Sequence, residues 1–213
     1  NVTDTWKFTE TGRVSYELVL GCTDVDFGQA TVNSRTENNT ASIATPSRSS
    51  LASVDVNCYR PQVSKDATPR YTITYTWDIT KTVVPASLEL LEGDTAEVTY
   101  TVAVNKNAGT PGSFAVAGSI VISNPAPMTA TVGLVDVISG VGAVTTSCGN
   151  SVDVGPNSSK VCTYNTALAD AVNRTNAVTV TLVNIPYTAT AAIDFSVAVT
   201  TEVLPSVTVS DTQ

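Results

Sequence analysis

Residues 71–79 read YTITYTWDI, with Tyr71, Ile73, Tyr75, Trp77 and Ile79 alternating against Thr72, Thr74, Thr76 and Asp78. A strict two-residue period marks a strand with one buried face, because successive side chains leave a pleated backbone on opposite sides. A helix would scatter the same five residues around its circumference. The period returns after the turn Glu92-Gly93-Asp94, where Ala96, Val98, Tyr100, Val102 and Val104 alternate. Trp77, Tyr75 and Tyr100 lie on the apolar sides of these runs and are expected in the core. Further strands are predicted at 114–122, 130–138, 152–154, 159–164, 177–183, 191–201 and 206–210, with Gly, Pro and Asn between them. Residues 105–112 read as a loop, and 166–173 (TALADAVN) as either two helical turns or a loop. Many short strands with regular turn residues specify an all-β sandwich or barrel. The abundance of Val and Thr, both branched at Cβ, points the same way.

The chain divides unevenly. Residues 1–62 carry strand patterns at 2–8, 13–20, 29–33, 40–45 and 51–59, and 60–70 (RPQVSKDATPR) reads as a linker. The remainder, 63–213, reads as the larger β-module. An internal echo relates the two parts: NNTASIATPSRSSLASVDVNC at 38–58 resembles NRTNAVTVTLVNIPYTATAAIDFSVAVT at 173–200. Shorter echoes pair VSKDATP at Val63 with ITKTVVP at Ile79, and VTDTW at Val2 with VTVSDT at Val207. On that correspondence residues 1–62 match the later half of a module. A smaller, incomplete β-module is expected there, with an apolar face and strand edges in need of cover.

With 19 Asp plus Glu against 11 Lys plus Arg, the net charge is −8, which disfavours nucleic acid and anionic membranes as partners. No apolar run is long enough for a membrane span. The start at Asn1 fits a processed secreted product or an excised fragment. Four cysteines, Cys22, Cys58, Cys148 and Cys162, allow three pairings. One bridge in each half, Cys22–Cys58 and Cys148–Cys162, is the favoured pairing and places the chain in an oxidising compartment; four reduced, buried thiols are the alternative.

Around Trp77 the residues resemble a known type of repeat. TYTWDITKTVVPASLELLEGDTAEVTYTVAV, GSIVISNPAP and SCGNSVDVGPNSSKVCTY together are similar to the tandem immunoglobulin-like β-sandwich repeats of extracellular stalks, adhesins and filaments. The resemblance covers roughly 63–213, and the first 62 residues match only the later part of a repeat. It implies immunoglobulin-like sandwich modules, an extracellular or cell-surface location and a Cys148–Cys162 bridge. It brings no catalytic residues and no cofactor.

The sequence contains no histidine, so neither a Ser-His-Asp nor a Cys-His arrangement can be assembled. An enzyme is not expected, and neither is a cofactor or a resident metal. Glu89, Glu92, Asp94 and Glu97 cluster at one turn and could supply a carboxylate pair, although a solvated acidic turn is the plainer reading. Asp24 and Asp26 could contribute to a calcium loop, but further oxygen ligands cannot be named. Lys65 and Lys81 stand at equivalent steps of an echo. Either could form an isopeptide bond with an Asn if buried beside an acid, with Asp78 and Glu97 nearby in sequence; exposed lysines at strand ends are the plainer reading. Asn-x-Ser/Thr sites at Asn1, Asn38, Asn157 and Asn173 are no more than Ser/Thr-rich sequence yields by chance. Trp77 and Trp6 could stack on sugars, with core the favoured place for Trp77.

The leading expectation is a structural subunit of an extracellular filament, pilus or surface layer, a head-to-tail homopolymer in which a terminal strand enters the open module of the next copy. Donor candidates are 203–212, with Val203, Val207 and Val209, and 1–8. The alternative is a cell-surface adhesin that binds glycans or proteins through sandwich loops at 105–113 and 140–157.

Overall fold

The computed structural model describes residues 4–23, 27 and 30–212. They fall into two compact units, Asn1–Arg60 and Pro61–Gln213. Among the described residues all regular structure is β, apart from one 3₁₀ turn at Phe195–Val197.

In the first unit β1 (Val32–Ile43) and β2 (Arg48–Tyr59) form one long antiparallel hairpin, from Val32 opposite Tyr59 to Ile43 opposite Arg48. The predicted strands at 29–33 and 40–45 therefore merge, because a hairpin that is mostly exposed on both faces tolerates the polar residues between them. Residues 4–23 carry no strand, against the expectation for 2–8 and 13–20. Alternation makes a segment fit for a strand, but a ladder partner is also required. A disulfide between Cys22 and Cys58 ties this segment to β2. Among the described residues of the unit, Phe27 and Cys58 are the buried apolar ones, with the Arg60 guanidinium 5.2 Å from the Phe27 ring centroid.

The second unit contains β3 (Gln62–Lys65), β4 (Thr68–Thr74), β5 (Trp77–Val84), β6 (Thr99–Lys106), β7 (Thr110–Asn124) and β8 (Ala130–Ile138). It continues with β9 (Gly142–Ala143), β10 (Ser151–Val154), β11 (Ser158–Ala167), β12 (Arg174–Leu182), β13 (Ile185–Ile193) and β14 (Val199–Val203). One sheet runs β11-β7-β4-β14 with β3 also on β7; the other runs β10-β8-β12-β13 with β9 on β8. All pairs are antiparallel except β14 on β4. The sheets pack face to face in a sandwich. Ile120, Ile122 and Cys162 of the first sheet meet Val132, Leu134, Val152, Val154, Val178 and Val180 of the second. Val116, Ile138, Val144, Tyr164, Leu168 and Ile193 extend the core.

The expected linker at 60–70 is instead β3 and the start of β4, both on β7. Pro61 precedes β3, Lys65 ends it, Asp66 lies between the two strands, and Pro69 and Arg70 stand near the start of β4. Residues 166–173 form no helix. There the Asp170 carboxylate accepts the Val172 N–H and pairs with Arg174 at 2.7 Å, so a local side-chain turn competes with helical hydrogen bonding. The expected loop at 105–112 is mostly strand, with its turn confined to 107–109, and the strand expected at 206–210 is not formed. Asn124 anchors the Asn-Pro-Ala-Pro turn. Its Nδ2 donates to the Met128, Val154 and Gly155 carbonyls at 2.8, 3.1 and 3.0 Å, while its Oδ1 accepts the Ala126 N–H.

Candidate functional site

The predicted strand 71–79 breaks after Thr74, and its second part leaves the sandwich. β5 pairs only with β6, in a two-stranded sheet of its own. The register sets Trp77, Ile79, Lys81 and Val83 opposite Lys106, Val104, Val102 and Tyr100, so the apolar residues of both strands share one face. Among the described residues no second sheet packs on that face. From 77 to 106 no residue is buried, and Tyr100 is 58 % exposed. The expectation of Tyr100 in the core is therefore corrected, as it is for Trp77 and Tyr75, which are only half-buried. The alternation identified the apolar face correctly; what it could not supply was the layer that covers it.

The tail follows the same hairpin. β14 ends at Val203, and just beyond it the Leu204 carbonyl accepts the Trp77 indole N–H at 3.0 Å. The Lys106 ammonium donates to the Pro205 carbonyl at 2.9 Å and lies 3.6 Å from the Tyr75 ring centroid. Lys81 pairs with Asp211 at 2.6 Å and lies 4.8 Å from the Tyr100 ring centroid. Val203, Val207 and Val209, the candidate donor residues, are all exposed, with Val203 laddered to Thr74. Hairpin and tail thus form an apolar surface on which Lys81 and Lys106 also stand, their stems able to lie on apolar groups while the charged ends reach polar partners.

A second constellation lies inside the sandwich. Lys65 comes from β3 in one sheet, and Asp136 (β8) and Asn176 (β12) come from neighbouring strands of the other. Asn176 stands opposite Ile138 and Val178 opposite Asp136, so the two polar residues are diagonal neighbours on the inner face. The Lys65 and Asp136 side chains are both 0 % exposed. Lys65 Nζ lies 2.8 Å from Asp136 Oδ1 and donates to Oδ2 at 2.9 Å. Asn176 Nδ2 donates to the same Oδ2 at 3.3 Å. Asp136 Oδ1, close to Nζ but outside hydrogen-bond geometry, and Asn176 Oδ1 are buried without a hydrogen bond. Below the ammonium lies Tyr164, its ring centroid 3.9 Å from Nζ and its hydroxyl donating to the Asp66 carbonyl at 2.7 Å. Burial pushes the Lys65 ammonium below its ordinary pKa, against the pull of Asp136. Burial likewise raises the Tyr164 hydroxyl to about 12.

The acids expected near the candidate lysines are elsewhere. Asp78 and Glu97 are exposed, and Lys81 is an exposed partner of Asp211. Asp136 and Asn176 were missed, although a signal existed. In ATVGLVDVI, Asp136 occupies the same alternating row as Val132, Leu134 and Ile138. The opposite row also holds Val135 and Val137, so the inward face was ambiguous and an Asp suggested the outward one. Glu89, Glu92, Asp94 and Glu97 are exposed, and the Asp94 carboxylate accepts the Leu91 N–H to close its turn. Asp24 and Asp26 lie outside the described residues. Trp6 is exposed and stacks on Tyr16 at 5.5 Å. The second disulfide joins Cys148 to Cys162, its Cys162 end in the core, and the expected loop at 140–157 contains β9 and β10, with Val152 and Val154 buried. No helix is long and apolar enough to cross a membrane among the described residues. No family model, curated protein or solved structure matches the chain.

Proposed function

We propose that this protein is an extracellular structural subunit that assembles head to tail from incomplete immunoglobulin-like β-modules. One observation carries the reading: the β5–β6 hairpin and its tail present a one-sided apolar face, Ile79, Val83, Tyr100, Val102, Val104, with no second sheet over it among the described residues. A two-stranded sheet is marginal in water until a further layer covers its apolar side. The echoes indicate what the layer is. Ile79–Pro85 repeats the step Val63–Pro69, which opens the closed sandwich, whereas 38–58 repeats 173–200, the stretch holding its β12–β13 hairpin. In the first unit the equivalent stretch is again a hairpin, β1–β2, with Leu51 and Val54 exposed. One part of the chain therefore carries opening strands and another closing strands of the same kind of module. Closing strands of one copy on the opening strands of the next form a heterologous contact, which propagates instead of closing. The element offered is hairpin plus tail, since Val203 is already laddered to Thr74 and 204–212 follow β5. Two disulfides suit an oxidising, extracellular setting.

The test is light scattering and negative-stain microscopy of the 213-residue chain, alone and with two changes. Polymers are expected from the wild type, and monomers both from deletion of 204–213 and from Tyr100→Lys with Val102→Lys. A monodisperse wild type whose β6 amides resist hydrogen exchange would have found cover within its own chain, and the polymer reading falls. Discrete monomers that bind glycans through 140–157 would establish the adhesin alternative instead.

A further inference from the structure

Lys65, Asp136 and Asn176 are an uneconomical way to stabilise a core. Two charges out of water cost several kcal/mol each, and apolar residues of similar volume commonly serve as well or better. The cluster also leaves Asp136 Oδ1 and Asn176 Oδ1 without hydrogen bonds, a loss that a cluster kept only for stability would have removed. Its parts are instead those of an acyl transfer: an amine, a carboxamide and one carboxylate oxygen in reach of both nitrogens, 2.9 Å from Nζ and 3.3 Å from Nδ2.

We propose that Lys65 and Asn176 condense, with Asp136 as the proton carrier, into an amide cross-link that joins the two sheets of the sandwich. In an apolar site the ion pair exchanges its proton to become a neutral amine and a carboxylic acid, and the free amine is the nucleophile. Desolvation, the largest influence on Lys65, favours that form. The Nζ lone pair attacks Cγ of Asn176 and a Nζ–Cγ bond forms. The Cγ–Nδ2 bond breaks, and Nδ2 leaves as ammonia. Of the two protons lost by the original ammonium, one departs on that ammonia and the other stays on Asp136. The product therefore holds a neutral amide and a neutral acid where two buried charges stood, and the step consumes no oxidant, reductant or cofactor. Turning the Asn176 carboxamide about its Cβ–Cγ bond sets its unpartnered Oδ1 against protonated Asp136, which then polarises the carbonyl under attack. Tyr164 supports the amine from below at 3.9 Å and fixes the end of β3 through the Asp66 carbonyl. Ile138 and Ile193, both fully buried, belong to the core around Tyr164, where water that would compete for the carbonyl is excluded.

This inference does not depend on the assembly reading, since every participating residue lies within one sandwich. It is tested by the intact mass of the purified 213-residue chain with both disulfides reduced. The expected mass is lower than the sequence mass by one ammonia, and digestion should yield a branched peptide joining Lys65 to Asn176. Lys65→Met, which keeps the apolar stem, should restore the full mass expected for its own sequence, as should Asp136→Ala. The wild-type measurement decides even where a variant does not fold. A wild type at full mass overturns the proposal, and so does an ammonia loss that maps to any other asparagine.

Discussion

Gly118 gives the sharpest test of the packing around Lys65. It stands opposite Tyr164 in the β7–β11 ladder, with the tyrosine ring lying over it. A Cβ placed there would sit 2.6 Å from the Tyr164 hydroxyl oxygen and 2.8 Å from its Cε1, and closer still to the Asp66 carbonyl oxygen. One of those neighbours is backbone, so no rotamer change relieves the clash. Gly118→Ala must displace the tyrosine, β3, or both. Overpacking of this kind costs about 1–3 kcal/mol. The hydrogen bond from Tyr164 to Asp66, lost with it, is worth about 1 kcal/mol. The sum is roughly 2–4 kcal/mol, which in a unit of this size lowers the melting temperature by roughly 5–15 °C. Urea unfolding of the tail-deleted monomer, followed by tryptophan fluorescence and circular dichroism, measures it. Gly112→Ala is the control, because nothing lies within 4 Å of a Cβ there and its change should stay within about 0.5 kcal/mol. A Gly118→Ala loss below about 1 kcal/mol, or one equal to the control, would refute the close approach of Tyr164 and β3.

Three further outcomes are expected. The Tyr164 hydroxyl is raised above its unfolded value, so its contribution to stability is complete below about pH 10 and is lost as pH rises towards about 12. An ultraviolet titration should show one tyrosine ionising last, and Tyr164→Phe should abolish that step. Replacing Cys148 by Ser together with Cys162 by Ala opens a loop of 14 residues' separation and should cost about 3 kcal/mol in urea unfolding; a loss under about 1 kcal/mol would contradict a constraining bridge. Asn124→Ala strands the Met128, Val154 and Gly155 carbonyls that its amide now satisfies, and a loss of about 2–3 kcal/mol is expected from the same assay.

The sequence determined what is local. Period-two alternation is imposed by the pleat of each strand, so 130–138 matches β8 residue for residue and the turns lie near the Gly, Pro and Asn positions. The apolar face of 77–104 was also legible, because pairing preserves it whatever lies above. Partnership was not legible. Alternation says that a strand has a face to bury, not which layer buries it, and for that reason Tyr100 is exposed and 13–20 has no ladder. Lys65 was legible as a candidate amine, but its partners were not, for a related reason. Lys65, Asp136 and Asn176 are far apart along the chain and meet only when two sheets close on each other, and the low dielectric that makes their meeting reactive exists only in the closed core.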